Sequence, residues 1–209
     1  MKITEVSVQK NNKDRANVYL DGKYVLSLDL ADAVLLGIKA GREIDDKELK
    51  NLLFESQLSK SREKALAILS RKSLSEKMLY DELIKKGYDD IVIDVLIDDL
   101  KELGYIDDYA YTLLFLESCR EKVWGRKKAE YELKQNGIDT NTFEDALCEI
   151  SLPDEEDICR VISCKYPGED AEDFKVKQKI MRYFVSRGFE FQEVEKGINL
   201  YLKKDRYND

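Results

Sequence analysis

Apolar and polar residues alternate along residues 1–28, and then the period changes. Ile3, Val6 and Val8 stand among Lys2, Thr4, Glu5, Ser7 and Gln9, and Val18 and Leu20 lead into Asp21-Gly22, after which come Tyr24, Val25 and Leu26. Asp-Gly between two alternating runs is a strong hairpin signal, because both central residues of the turn need positive φ. With a second turn at Asn11-Asn12-Lys13-Asp14, the segment predicts a small three-stranded antiparallel sheet. Three short strands are marginal alone and need a packing partner. Two predicted helices, Leu30–Leu36 and Asp45–Leu58, can supply it through Leu49, Leu52, Leu53 and Leu58; Gly37-Ile38-Lys39-Ala40-Gly41 separates them.

From Ser61 the apolar period is helical to the end of the chain, and one pattern occurs three times. Leu83, Leu133 and Phe184 each precede a glycine (Gly87, Gly137, Gly188) by four residues, and Tyr88, Ile138 and Phe189 each follow it. A glycine so flanked ends a helix in the left-handed conformation and lets the next apolar residue fold back on the last turn. Downstream, at offsets of 6, 10 and 13, stand Ile93, Ile97 and Leu100, then Phe143, Leu147 and Ile150, then Val194, Ile198 and Tyr201. These offsets mark one face of a helix. Three copies 50 and 51 residues apart are an internal repeat of about three helices each.

The first repeat opens on a helix whose expected buried stripe is Ala65, Leu66, Ile68 and Leu69. Ser73 and Glu76 have capping-box spacing for the second helix, and Asp89 or Asp90 starts the third. Gly104-Tyr105-Ile106-Asp107-Asp108 separates the first repeat from the second, which breaks at Trp124-Gly125; Leu152-Pro153-Asp154 links to the third. The third repeat carries an extra loop, Tyr166-Pro167-Gly168-Glu169-Asp170, and the tail Lys203–Asp209 is expected to fray. The expected fold is therefore mainly α: three tandem three-helix repeats in an elongated curved array, preceded by a small antiparallel β segment. The expected divisions are 1–60, 61–107, 108–150 and 151–209. Two prolines in 209 residues agree with long helices.

Composition narrows the chemistry. The net charge is −8, divided as 0 over residues 1–60, −4 over 61–111, −2 over 112–150 and −2 over 151–209. A protein devoted to gripping phosphates is usually basic. With no histidine, no glycine-rich phosphate loop and no Walker lysine, no catalytic constellation stands out, and a non-enzyme is expected. The four cysteines, Cys119, Cys148, Cys159 and Cys164, form no CxxC pair, so neither a metal nor a cofactor is expected; they read as small core residues in a reducing compartment. The acidic pairs Asp89-Asp90, Asp98-Asp99 and Asp107-Asp108 and the run from Asp154 to Asp157 read as helix caps, with Asp98 and Asp99 facing solvent. Apolar runs such as Leu113–Leu116 are far too short to span a membrane, and a cytoplasmic monomer is expected.

Two basic clusters stand out against this background. The first is Arg120, Lys122, Arg126, Lys127 and Lys128 around Trp124; the second is Lys175, Lys177, Lys179, Arg182 and Arg187. Cations around an aromatic ring can hold phosphates and stack a base. Equally, they read as solvated helix faces, with Trp124 filling the space where two helices meet and Arg126, Glu130 and Lys134 paired along one face.

Several of these stretches resemble the RecX regulators of the bacterial RecA recombinase. Gly104-Tyr105-Ile106-Asp107-Asp108-Tyr109-Ala110 is similar to that family's signature turn. Ser75-Glu76 ahead of Leu83–Gly87, Gly125 ahead of Glu132–Ile138, and Arg182–Phe189 match its repeats in order and spacing, and the N-terminal strands resemble the extension of its longer members. The resemblance covers nearly the whole chain. It implies three tandem three-helix repeats and binding along the groove of the RecA filament on single-stranded DNA, impeding filament extension, ATP hydrolysis, strand exchange and coprotease activity. That is a role in DNA repair, recombination and the SOS response. Members often carry enough positive charge to touch DNA; here the acidic balance leaves only weak direct DNA contact. Two other readings stay open from the residues alone: a helical nucleic-acid-binding module, and a helical-repeat adaptor for another protein.

Overall fold

The computed structural model describes residues 1–10, 12–167 and 171–208, with side chains as far as Lys204. Asn11 of the first expected turn, Gly168, Glu169 and Asp170 of the expected loop, and the side chains of the expected frayed tail beyond Lys204 lie outside the described residues. The chain divides into two compact units: Met1–Ser73 with Leu79–Ile106, and Leu74–Met78 with Asp107–Asp209.

The first unit begins with a three-stranded antiparallel sheet in the order β1 (Ile3–Val8), β2 (Arg15–Leu20), β3 (Lys23–Asp29). Leu20 pairs with Lys23 across Asp21-Gly22, whose φ values of 46° and 80° are those of a tight hairpin turn. Ile3, Val18, Leu20, Leu26 and Leu28 turn inward against Ala33, Ile38, Ile44 and Leu52. Those partners come from α1 (Leu30–Leu35), the loop after it and α2 (Asp46–Leu69).

α2 corrects one expectation. It is a single 24-residue helix where two were expected, and the break after Leu58 is absent. Ser59-Lys60-Ser61 contains neither glycine nor proline to end a helix. The expected stripe also changes: only Ala65 of Ala65, Leu66, Ile68 and Leu69 is fully buried, and the inward face holds Ser56, Ser59 and Ser61 beside Leu52 and Leu58. Those hydroxyls are satisfied: Ser56 donates to the Ser27 carbonyl at 2.6 Å, Ser61 donates to the Leu58 carbonyl at 2.8 Å and Ser59 donates to the Asp29 carboxylate. Beside them Arg15 is buried, 5% exposed, donating to the Ser27 carbonyl at 3.3 Å and pairing with Asp29 at 3.2 Å and Glu63 at 3.3 Å. A guanidinium removed from water is tolerated only with such partners.

The repeat helices are α3 (Glu76–Lys85), α4 (Asp90–Glu102), α5 (Asp108–Lys122), α6 (Arg126–Gln135), α7 (Thr140–Glu149), α8 (Glu155–Lys165), α9 (Phe174–Val185) and α10 (Phe191–Asn208). First and third helices of each triplet pack together: α2 with α4, α5 with α7, α8 with α10. In the first unit Leu79, Leu83, Ile93, Leu96 and Leu100 are fully buried. In the second unit one core gathers Leu116, Cys119, Leu133, Ile138, Phe143 and Ala146. The other gathers Ile158, Ile162, Ile180, Phe184, Phe189, Val194 and Ile198.

The repeated glycines behave as their pattern predicts. Gly87, Gly137 and Gly188 have φ of 83°, 89° and 90°. The residue after each donates its N–H to the carbonyl five back: Tyr88 to Leu83 at 3.4 Å, Ile138 to Leu133 at 3.0 Å, Phe189 to Phe184 at 3.2 Å. Each turn is a Schellman cap, and Leu133 with Ile138 and Phe184 with Phe189 share a core across the last two.

The caps need three corrections. Ser75, not Ser73, caps α3, its hydroxyl accepting from the Met78 N–H at 3.2 Å; α3 starts two residues later than the Ser73–Glu76 box requires. Asp89 stands at the N-cap of α4 but its side chain makes no capping bond. Asp107 and Asp154 do cap, Asp154 in a full capping box. Asp99 does not face open water; it is half-buried and pairs with Arg62. Of the cysteines, Cys119 and Cys159 are buried as expected, whereas Cys148 and Cys164 are exposed.

Candidate functional site

The two basic clusters meet within the second unit. α5 ends at Val123, a β-branched residue held at φ 51°, and Trp124 donates its backbone N–H to the Cys119 carbonyl at 2.9 Å. This is the same cap as at the repeat glycines, built on a residue that adopts it under strain. Val123 tolerates it because its side chain packs into the core of the third repeat. The chain then enters α6 through Gly125.

At Gly125 the N-terminus of α6 meets the glycine turn of α9. The Gly125 N–H donates to the Arg187 carbonyl at 2.8 Å, and the Lys127 N–H donates to the Gly188 carbonyl at 3.1 Å. Two amides that a helix start leaves free are thus filled by carbonyls that a helix end leaves free. The approach needs both glycines. A Cβ on Gly125 would lie 2.6 Å from the Gly188 carbonyl, and one on Gly188 would lie 2.3 Å from the Lys128 nitrogen. The same device recurs one repeat earlier, where Ser75 donates to the Asn136 carbonyl, Lys77 Nζ donates to the Gln135 carbonyl at 2.9 Å, and a Cβ on Gly137 would lie 2.5 Å from Lys77 Cβ.

The expected site residues distribute around this junction. Lys128 Nζ lies 4.1 Å and Lys122 Nζ 5.1 Å from the centre of the Trp124 ring, whose edge meets Phe115. Trp124 is half-buried, so it is packing filler and cation platform at once. Arg126 pairs with Glu144 and lies over Phe143, not along the face with Glu130 and Lys134. Lys127 pairs with Glu190 at 3.2 Å. Arg187 bridges the clusters, its guanidinium donating to the Lys122 carbonyl and lying 4.6 Å from the Tyr183 ring.

The rest of the second cluster lies along α9. Lys177 pairs with Glu195 at 3.2 Å, Lys179 lies 4.9 Å from the Tyr166 ring, and Arg182 Nε donates to the Gln178 carbonyl at 3.3 Å. Among the described residues the side chains of Arg120 and Lys175 are exposed and have no ion-pair partner. Sequence reading missed Tyr183, which takes Lys165 at 4.3 Å as well as Arg187. Three cations within reach of an aromatic in sequence, Lys179, Arg182 and Arg187, were the signal for it.

Beneath the junction, burial pushes the Cys119 thiol up to about 11, against the opposing pull of Lys122 and Lys128. It stays protonated at neutral pH and is a packing group. The surface so built offers cations, aromatic rings and apolar grooves.

The fold is that of a mainly helical protein of three-helix repeats carrying an N-terminal β segment. Residues 1–45 match the family profile described as regulatory protein RecX N-terminal domain, and residues 62–100 match the one described as RecX, first three-helix domain. The chain is 32% identical over 208 residues to regulatory protein RecX of Clostridium tetani (strain Massachusetts / E88), covering 98% of this chain and 96% of that one. It is 29% identical over 201 residues to that of Caldanaerobacter subterraneus subsp. tengcongensis, covering 96% and 100%. The chain belongs to the RecX family of regulatory proteins.

Two solved structures share the fold. A crystal structure of regulatory protein RecX superposes with a TM-score of 0.69 over 93% of this chain and 97% of that one, at 23% identity. RecX from Lactobacillus salivarius superposes with a TM-score of 0.58 over 69% and 96%, at 22% identity.

Proposed function

We propose that the protein is a negative modulator of the RecA recombinase. It binds along the groove of the RecA filament on single-stranded DNA, limits filament extension and so lowers ATP hydrolysis, strand exchange and coprotease activity. The observation that carries this reading is likeness to RecX regulatory proteins along nearly the whole chain. The regulation is by binding, in the cytoplasm where the recombinase works, and it damps DNA repair and the SOS response. The cations of the two basic clusters, Arg120, Lys122, Arg126, Lys127, Lys128, Lys175, Lys177, Lys179, Arg182 and Arg187, are the contact candidates.

Charge magnitude decides how much of this is contact with DNA itself. Several of the ten cations are committed to carboxylates or rings of the same chain, and the net charge is −8. Long-range attraction to phosphate is therefore weak, and the main contacts are with the recombinase. The test is RecA ATPase on single-stranded DNA, titrated with this protein at two salt concentrations. Inhibition at fewer than one molecule per RecA monomer, with little salt dependence, is expected. Unchanged hydrolysis at molar excess would overturn the proposal; inhibition lost steeply with salt would replace it with competition for DNA.

A further inference from the structure

Helix α9 is cationic, with Lys175, Lys177, Lys179 and Arg182 and no acid, in a chain of net charge −8. Between α9 and α10 lies an open groove of about 890 Å³. Its bed is apolar, formed by Phe174, Met181, Val185 and Phe191, and the two phenylalanines are 72% and 66% exposed. Lys177, paired with Glu195, and Arg182 edge the bed. Contiguous exposed apolar surface with a charged rim marks an interaction site.

Helix α4 has the opposite chemistry. Its sequence, DIVIDVLIDDLKE, holds five acids and one lysine. Val92, Ile93, Leu96, Ile97 and Leu100 face inward. The outward side presents Ile91, Asp94, Val95, Asp98 and Glu102, all exposed, with Ile91 at 72%. Positions 91, 95, 98 and 102 follow the spacing of one helical stripe. One chain therefore carries both halves of a helix-in-groove contact: a helix stripe of Ile91 and Val95 continued by Asp98 and Glu102, and an apolar groove on a cationic helix.

We propose that the α9–α10 groove takes the α4 face of a second copy of the chain. The contact is heterologous, since two different surfaces meet. Each bound copy leaves one groove and one α4 face free, so association continues beyond a dimer unless the rotation closes a ring. A single helix face buries less than about 1,200 Å², the range of weak and transient contacts, so dissociation constants in the micromolar range or weaker are expected. This departs from the monomer expected from sequence and does not depend on the recombinase.

Sedimentation velocity of the full chain over about 10–200 µM tests it. The expected result is a mean mass that rises with concentration past that of a dimer, and that falls in about 1 M salt, where the Debye length is about 3 Å. Two exposed-surface variants follow, with circular dichroism confirming their fold: D94K with D98K, and K175E with R182E. Each alone should weaken association about tenfold or more, or about 1.4 kcal/mol. Mixed together, they should regain association, because the intact groove of one takes the intact α4 face of the other and the two reversed surfaces again carry opposite charges. A chain that stays monomeric at every concentration overturns the proposal and leaves the groove to an acidic amphipathic segment of another protein. Variants that associate like the parent, or a mixture that does not regain association, overturn it as well.

Discussion

Three glycine-to-alanine substitutions separate two costs that the second unit combines at one point. Gly87 has φ of 83° and open space around its missing Cβ, so Gly87→Ala pays for left-handed backbone alone, about 1–2 kcal/mol. Gly125 has an ordinary φ of −78°, but a Cβ there would meet the Gly188 carbonyl at 2.6 Å. Gly125→Ala therefore pays for overpacking alone, about 1–3 kcal/mol. Gly188 has both features, φ of 90° and a contact of 2.3 Å with backbone that cannot rotate away, so Gly188→Ala should cost about 2–5 kcal/mol. Urea unfolding followed by far-UV circular dichroism measures all three, and fluorescence of Trp124, the one tryptophan, reports on the junction itself. The double variant Gly125→Ala/Gly188→Ala should cost less than the sum, because both press on the same backbone. If Gly188→Ala is no worse than Gly87→Ala, or Gly125→Ala has no effect, the close approach of α6 to the α9 turn is wrong.

Other outcomes follow from single sites. Arg15→Ala should lower stability by about 1–3 kcal/mol in the same assay, less than a fully enclosed ion pair would, because Asp29 and Glu63 are 44% and 67% exposed and can be rehydrated; Glu63→Gln should change it by less than about 0.5 kcal/mol. Under native conditions a thiol reagent should label Cys148 and Cys164 rapidly and spare Cys119 and Cys159 until the protein is unfolded, with mass spectrometry as the readout. Lys122→Glu with Lys128→Glu should raise the concentration needed to inhibit RecA ATPase by about tenfold, or about 1.4 kcal/mol; no change would remove the Trp124 cluster from the contact.

What sequence could reveal here depended on whether a local signal had one physical meaning. Asp21-Gly22 between alternating runs, and a glycine between two apolar residues at the end of a helical period, each have one low-energy solution, and both formed as expected. The inward face of α2 was hidden because its buried positions include Ser56, Ser59 and Ser61: the first two are satisfied by the Ser27 carbonyl and the Asp29 carboxylate, which only the folded sheet brings near, and Ser61 by the Leu58 carbonyl of its own helix. Arg15 was hidden for the same reason: its partners lie 14 and 48 residues away in sequence. The two basic clusters were visible as composition, but their meeting at Gly125 and Gly188 was not, since nothing local says that one helix start rests on another helix end. Val123 shows the limit from the other side. It takes a glycine's backbone conformation because tertiary packing of its side chain outweighs the local preference.

The position of the basic clusters on their helices carries a further argument. α2, α3, α4, α5, α8 and α10 open with an acid in the first turn, where a carboxylate complements the helix dipole. α6 opens with Arg126, Lys127 and Lys128, and α9 with Lys175, and neither has an acid there. A cation in a first turn costs about 0.3–1 kcal/mol when exposed. For α6 the cost is offset locally, by Glu144, Glu190 and the Trp124 ring. For Lys175 no ion-pair partner stands among the described residues, and beside the Asp173 carboxylate that caps the helix its charge opposes the dipole. Lys175→Gln should therefore stabilise the fold by about 0.3 kcal/mol or more in urea unfolding, while weakening RecA inhibition. That opposition of signs is expected where a charge serves a partner rather than the fold. If Lys175→Gln lowers stability, or leaves inhibition unchanged, Lys175 is an ordinary solvated lysine and the α9 cluster loses its first member.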